Sequence, residues 1–356
     1  MGGVGVFLCY GWFEAFWDAF GEGHELFVVV LRSSGTMQAV FPCWRSNSSQ
    51  EEPVNSTIGS LTNEHSCYYD FIVEPETRSE ALSCFTGVLR QIAPDHEVLL
   101  EYLSLSENNP EQLIRNLRHI GNPVHAYSQP WAPWIELSGN WETFHRSLSG
   151  HMKGNLRRYR SKAEKIDPLH LEIVHDTDKL APILDRLFEI ENRNWKGHDG
   201  TAIKSRPDVE RFYRHLASWA LKDGRLLLFF LKLGEMPIAA SFCLHSNGTV
   251  FQLKFGYDES FAPLSPGSLL QEDMVKYLFQ TPEFQQYNFL GSCDAWKMRW
   301  TQSVGSYGFM RIYPRSLKGW GRYMHQYGWK NFLKQFMTVR RLRAWIGSGG
   351  SKDRGR

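Results

Sequence analysis

Two short stretches of this sequence carry residue types at spacings that could do chemistry. In FQLKFGYDESFAPLSPGSLL (251–270), a β-rich run ending in Phe255, Gly256 and Tyr257 passes through a Pro-rich loop into Ser265, Pro266, Gly267, Ser268 and Leu269, a helix start. Helix starts present unpaired backbone N–H groups and the positive end of the helix dipole, and a glycine there lets an anion come close, so the run could seat a pyrophosphate. The same residues also read as an ordinary loop with Ser265 or Ser268 as the helix cap. The second stretch, DAWKMRW (294–300), places Asp294 and Lys297 three residues apart, on one face of a helix. A nucleophilic transfer needs a base to take the nucleophile's proton, and positive charge or N–H donors for a developing oxyanion. Asp294 could be that base, Lys297 the electrostatic partner and Tyr257 a proton donor at a strand end; the structural alternatives are an ion pair or cap for the first two and simple packing for the tyrosine.

A third segment could hold anions. Over 150–166, Lys153, Arg157 and Arg160 line one flank of an expected helix, and Arg158, Lys162 and Lys165 another, with Glu164 the sole acid. Six cations could engage phosphates of CoA, of a nucleotide-linked substrate or of tRNA, or simply form a solvated face. Met152, Leu156, Tyr159, Ala163 and Ile166 form the apolar stripe that would dock this helix. No G-x-S-x-G or Walker sequence occurs, and His151, His170, His175 and His198 stand apart from ligand partners, so no metal site is expected.

The elements that must position these groups follow from hydrophobic period and turn residues. An aromatic helix near 12–20 precedes a hairpin, LFVVVLR and TMQAVFP, around Ser33-Ser34-Gly35; then come a strand near 68–73, a helix near 78–92, the strand HEVLLEYLSL and a helix near 110–119. After WAPWIELS, a helical stretch begins at Asn140 and stops before Pro168. Next are strand LHLEIV, helices at about 178–195 and 207–222, a meander at 225–233, 237–245 and 249–257, a helix at about 267–280, strand YNFLG, a helix at 294–303 and strand YGFMRIYP.

Composition sets the outer bounds. The 356 residues suffice for two domains at roughly 150 residues each, and 42% hydrophobic with 22% charged residues excludes disordered and collagen-like chains. Residues 315–356 hold 11 Lys and Arg against Asp353, a net of about +10 that leaves about −8 elsewhere, since the whole is +2. LKGWGRYMHQYGWKNFLKQFMTVRRLRAWI sets Trp329, Phe332, Leu333 and Phe336 at helix-face spacing among cations, so 316–346 is expected to be a basic amphipathic helix, packed on the protein or lying on an anionic membrane surface. Residues 347–356 are expected to be disordered. Six cysteines show no C-x-x-C pair and read as reduced, and Glu14 and Asp18 interrupt the early apolar run before it can serve as a signal or a span; both point to the cytoplasm.

In this order the segments resemble the GNAT superfamily of acyltransferases, in the CelD-like branch related to FemAB aminoacyl transferases. The resemblance is carried by the Trp12–Trp17 helix, LFVVVLR, AVFP, GNLRRYRSKAEK, FYRHLASWALKDGRLLLFFL, PIAASFCL, FGYDESFAPLSPGSLL and YNFLGSCDAWKMRW. It implies an α/β (α+β) fold of two tandem GNAT-like modules, each a mixed, largely antiparallel sheet flanked by helices: a degenerate one at 1–135 and an acyl-CoA-binding one at 136–315. Acyl-CoA, with acetyl-CoA the expected form, would set its pyrophosphate at Ser265, Pro266, Gly267, Ser268 and Leu269 and its pantetheine beside Phe255, Gly256 and Tyr257. The family's Arg/Gln-Gly-x-Gly signature is reduced here to Pro266-Gly267-Ser268, and relatives commonly begin with a further N-terminal segment, so an exposed sheet edge is expected. The resemblance also favours Lys297, preceded by Trp296, as a catalytic residue, and places Glu189, Arg193 and Trp195 on the acceptor side beside Arg157 and Arg160. The implied reaction is direct acyl transfer to an amine or hydroxyl of a small-molecule, cell-envelope or polysaccharide precursor. Two alternatives stand beside it: a FemAB-like enzyme using aminoacyl-tRNA, the one case in which a nucleic acid would be a partner, and a catalytically silent scaffold in polysaccharide assembly.

Overall fold

The computed structural model describes residues 5–46, 57–92, 95–105, 109–193 and 202–328. Its strands join in one twelve-stranded mixed sheet. Across the sheet the order is β1 (His24–Ser33), β2 (Thr36–Ser46), β3 (Thr57–Ser60), β5 (Glu97–Ser104), β12 (Val304–Ile312), β6 (Val124–Glu136), β11 (Gln286–Asn288), β10 (Thr249–Tyr257), β9 (Met236–Ser246), β8 (Leu226–Leu233) and β7 (Leu169–Val174), with β4 (Ile72–Val73) paired to β2. The fold is thus the expected mixed α/β type. In the first hairpin Ser34 and Gly35 both have positive φ, 50° and 81°, as a two-residue turn matched to strand twist requires.

Three cores hold the sheet between helices. Helices α1 (Tyr10–Phe20), α6 (Leu180–Asn192) and α7 (Pro207–Lys222) cover one face of β8 to β10, and α4 (Trp141–Ser147), α5 (Gly150–Ala163) and α8 (Pro266–Phe279) cover the other. Burial on both faces explains why β8 reads LLLFFLKL, a continuous apolar run instead of an alternating one. Helices α2 (Arg78–Ile92) and α3 (Asn109–His119) pack on β1, β2, β5, β6 and β12. A short α9 (Leu317–Tyr323) and one π-turn at Met324–Gly328 end the described chain.

Four placements depart from the sequence expectations. Although it opens the chain, α1 packs against α7: Trp12 meets Phe212 edge-on at 5.6 Å, and a Cβ on Gly11 would lie 2.2 Å from Trp219. Its apolar stripe, Trp12 and Phe16, finds its shape complement there and not on the first sheet. The final strand β12, expected with the second module, inserts antiparallel between β5 and β6, where Met310 and Ile312 complete the core beneath α2 and α3. And 294–303 forms a 3₁₀ turn at Lys297–Arg299, not a helix. Strand β6 joins the halves, pairing with β12 through Pro133 and with β11 from Trp134 to Glu136. Ile166, expected in the docking stripe of α5, lies beyond its end and is exposed. Among the described residues no helix is long and apolar enough to cross a membrane. The expected amphipathic stripe from Trp329 onward and the tail at 347–356 lie outside the described residues.

Candidate functional site

β10 and β11 run parallel for only three residues, from Thr249 beside Gln286 to Phe251 beside Asn288, and then part. β10 is bulged between Gln252 and Lys254, which bends and twists it. The chain after β11 turns away through Leu290 and Gly291, both left-handed at φ 51° and 63°. The wedge so opened leads into a cleft of about 790 Å³ walled by α5 and by the first turn of α8.

Phe255, Tyr257, Ser265, Gly267, Ser268, Asp294 and Lys297 all line this cleft, so the two stretches picked out in the sequence converge. Gly256 does not face it: strand alternation turns it toward α6, where a Cβ would lie 2.8 Å from the Glu191 backbone. Pro266 and Leu269 are buried beneath the helix start.

The first turn of α8 has a different economy from the one its sequence suggests. Pro266 has no N–H to give, and the Ser268 and Leu269 N–H groups already bond the Ser265 carbonyl at 3.0 and 3.3 Å. Gly267 is then the residue whose N–H has no carbonyl partner among the described residues. Its missing side chain serves packing, since a Cβ would sit 3.1 Å from the Phe255 ring and 3.2 Å from Tyr257. The Ser265 hydroxyl donates to Ser268 Oγ at 3.0 Å.

Lys297 is buried to 7% exposure and its ammonium is fully engaged. Nζ donates to the Leu290 carbonyl at 2.9 Å and the Ser292 carbonyl at 3.0 Å, and pairs with Asp294 Oδ2 at 3.0 Å. Three donors meeting three oxygens tie the 290–297 loop into one turn, which explains why no helix forms there. The other Asp294 oxygen accepts from Ser292 Oγ at 2.7 Å. Trp296 stacks on Phe255 with centroids 5.6 Å apart and planes 16° from parallel, joining the two lips of the wedge.

The remaining candidates lie elsewhere. Arg160 is committed within the protein, bonding Glu272 Oε2 at 2.8 Å and Asp273 Oδ1 at 2.5 Å. Burial pushes the Asp273 carboxyl up, a rise that Arg160 only partly opposes. Arg157 is exposed on α5 and does not line the cleft. Glu189 and Arg193 sit on α6, on the opposite sheet face: Glu189 bonds Lys204 at 2.6 Å, which holds its carboxyl below the usual range, and Arg193 bonds Asp258 Oδ2 at 3.2 Å. Burial alone would raise the Asp258 carboxyl, but the Ser260 side chain and backbone and the Arg193 guanidinium outweigh it and hold it low. Trp195 lies outside the described residues.

Sequence reasoning missed the cleft floor. Gln252 Nε2 donates to Gln271 Oε1 at 3.2 Å and to Ser241 Oγ at 3.2 Å, and Gln271 Nε2 donates to the Tyr287 hydroxyl at 3.0 Å. This buried network draws on β9, β10, β11 and α8, and the only sequence signal was a glutamine in each of two apolar runs. Lys254 and Arg299 also line the cleft, although the Lys254 ammonium lies 5.4 Å from the centre of the Tyr213 ring, which belongs to the core on the other side of the sheet.

The domain model described as an acetyltransferase (GNAT) domain matches residues 150–298, the segment that builds both walls of the cleft. No curated protein matches the sequence. Among solved structures, the chain is similar to FemX, at 12% identity and a TM-score of 0.55 over 85% of this chain and 90% of that one. It is also similar to the C-terminal DUF2156 domain of an Agrobacterium fabrum protein assigned as a lysylphosphatidylglycerol synthetase, at 12% identity and 0.51 over 84% and 86%. A conserved Bacteroides thetaiotaomicron protein of unknown function aligns at 10% identity and 0.52 over 85% and 90%. At such identities the likeness is one of fold.

Proposed function

We propose that this chain, whose residues 150–298 match the GNAT acetyltransferase domain model, transfers an acyl group from acyl-CoA, acetyl-CoA in the simplest case, to an amine or hydroxyl of a cell-envelope or polysaccharide precursor. The observation that carries this reading is the wedge between β10 and β11, which opens onto a helix start with cations on its rim. The Gly267 N–H, the Ser265 and Ser268 hydroxyls and Arg299 are the groups on the cleft wall that would meet a diphosphate. CoA supplies the thioester carbonyl as electrophile. The acceptor attacks the carbonyl carbon, Asp294 takes its proton, the carbon–sulfur bond breaks, and Tyr257 protonates the departing thiolate. Lys297 acts by positioning Asp294, because its own donors are spent on the loop. The six unpaired cysteines suit a reducing cytoplasm.

One observation favours a second reading, an aminoacyl-tRNA-dependent transferase. The helix start offers few free N–H groups, whereas α5 carries Arg157 and Arg158 exposed beside the cleft wall. Calorimetric titration decides between them. Saturable acetyl-CoA binding below about 1 mM, the upper end of ordinary KM values, supports the first reading. No binding there, with tRNA binding that weakens steeply with salt, replaces it by the second.

A further inference from the structure

A second cavity, sharing no residue with the wedge cleft, lies where the C-terminal ends of α2 and α3 meet the start of β5 and the end of β12. It encloses about 250 Å³ over an apolar floor of Leu89, Val98, Leu117, Ile120 and Ile312. Arg90, Asp95, His96 and Arg315 stand on its polar side, and neither guanidinium has a carboxylate partner among the described residues. Other guanidiniums that reach toward the core are paired, as Arg160, Arg186 and Arg214 are. Helix ends attract cations, but α3 needs none here. The N–H groups of Ile120, Gly121 and Asn122 already bond the Asn116, Arg118 and Leu117 carbonyls at 3.2, 3.0 and 3.0 Å. Arg315 instead lies across Gly121, whose φ is 89° and where a Cβ would come within 3.1 Å of the arginine Nε. His96 completes the set: its Nδ1 is buried and has no hydrogen-bond partner among the described residues. Burial, and after it Arg45, holds the ring below the ordinary histidine range against the opposing pull of Asp95, so it is neutral at pH 7. A buried ring nitrogen left bare is costly unless something in the adjoining space meets it.

We propose that this cavity is a binding site for a small carboxylate with a compact apolar body. Arg90 and Arg315 take the carboxylate, since the planar guanidinium fork matches that group and binds it more strongly than a neutral donor does. His96, in the tautomer with hydrogen on Nδ1, donates to the same group. The apolar floor encloses the body. Two guanidiniums against Asp95 and a neutral ring leave a net positive charge, which a monoanion balances. At about 30 Å³ per water the cavity has the volume of about eight waters, so the ligand is limited to about eight non-hydrogen atoms. Inorganic phosphate lacks the apolar body and an alcohol lacks the charge, so neither is the match that a short branched carboxylate is. The site is separate from the wedge and does not depend on which donor the wedge binds.

Titration of the full chain with 4-methylpentanoate, followed by ligand-observed NMR, tests this. Binding is expected with a Kd of about 1 mM or tighter, ordinary for so few atoms, and the His96 ring resonances are expected to shift as the ligand binds. Arg90→Ala and Arg315→Ala are each expected to weaken binding by about tenfold or more. Both side chains are exposed, so the variants keep the fold, and an unchanged Tm verifies it. Arg299→Ala, in the wedge cleft, is expected to leave the affinity as it is. No binding at about 10 mM overturns the proposal. So does binding that both Arg90→Ala and Arg315→Ala retain, or that leaves the His96 resonances unmoved, because the ligand then sits elsewhere; a loss with Arg299→Ala assigns it to the wedge. Equal affinity for 4-methylpentan-1-ol removes the role of the cations, and equal affinity for inorganic phosphate removes that of the apolar floor; either result overturns the assignment.

Discussion

Replacing Lys297 with methionine keeps the length and apolar stem of the side chain but removes the ammonium that gathers the Leu290 and Ser292 carbonyls and Asp294. Two carbonyl bonds and a charge-assisted contact are lost at a residue only 7% exposed, and the Leu290 oxygen stays behind without its donor. Hydrogen bonds to a charged group and an orphaned acceptor together make a cost of about 2–4 kcal/mol. With an unfolding entropy near 2.1 cal/mol/K per residue, 356 residues give about 0.75 kcal/mol/K, so Tm is expected to fall by about 3–5 °C. Differential scanning calorimetry measures it, and near-ultraviolet dichroism reports the Trp296 stack in the same sample. If Lys297 served only to stabilise charge on a bound substrate, its loss would leave the free protein untouched. A Tm within 1 °C of wild type, with the Trp296 signal intact, would therefore refute the assignment of Lys297 as the residue that builds the loop.

Three further outcomes are expected. Gly267→Val drives methyl groups into the Phe255 and Tyr257 rings and pushes them into the cleft, so acetyl-CoA affinity should fall about tenfold or more, while far-ultraviolet dichroism stays unchanged; an unaltered Kd by calorimetry contradicts the placement of the ligand. Asp258→Asn should lower the urea midpoint at pH 7, because a carboxyl held below its usual range stabilises the fold above about pH 4 and loses that contribution as the pH falls through its folded value. The gap between variant and wild type should then narrow at about pH 3, and a gap that widens there shows the sign to be wrong. Gln271→Leu leaves the Gln252 amide and the Tyr287 hydroxyl without their partner at the cleft floor, at a cost of about 2–4 kcal/mol in chemical denaturation; a neutral result means that the floor is hydrated and not dry.

What the sequence alone determined is what lies within one element or one turn. The β8 to β10 meander, the first hairpin and the α8 start are all readable, because apolar period, Gly and Pro act over a few residues. The pairing of Asp294 with Lys297 was legible on the same ground, although the loop that carries them is not the expected helix. Which elements touch was decided only in three dimensions. Nothing near Trp12 says that its pocket lies on α7, some 200 residues on, and nothing near Tyr307 says that β12 returns between β5 and β6. The same limit governs charge: Arg160 looked free beside Arg157 because its partners, Glu272 and Asp273, are more than 100 residues away. The wedge itself needs a bulge on β10, a left-handed turn after β11 and the length of their pairing to act together. Such convergence is fixed by burial and shape complementarity among distant segments, which local period does not encode.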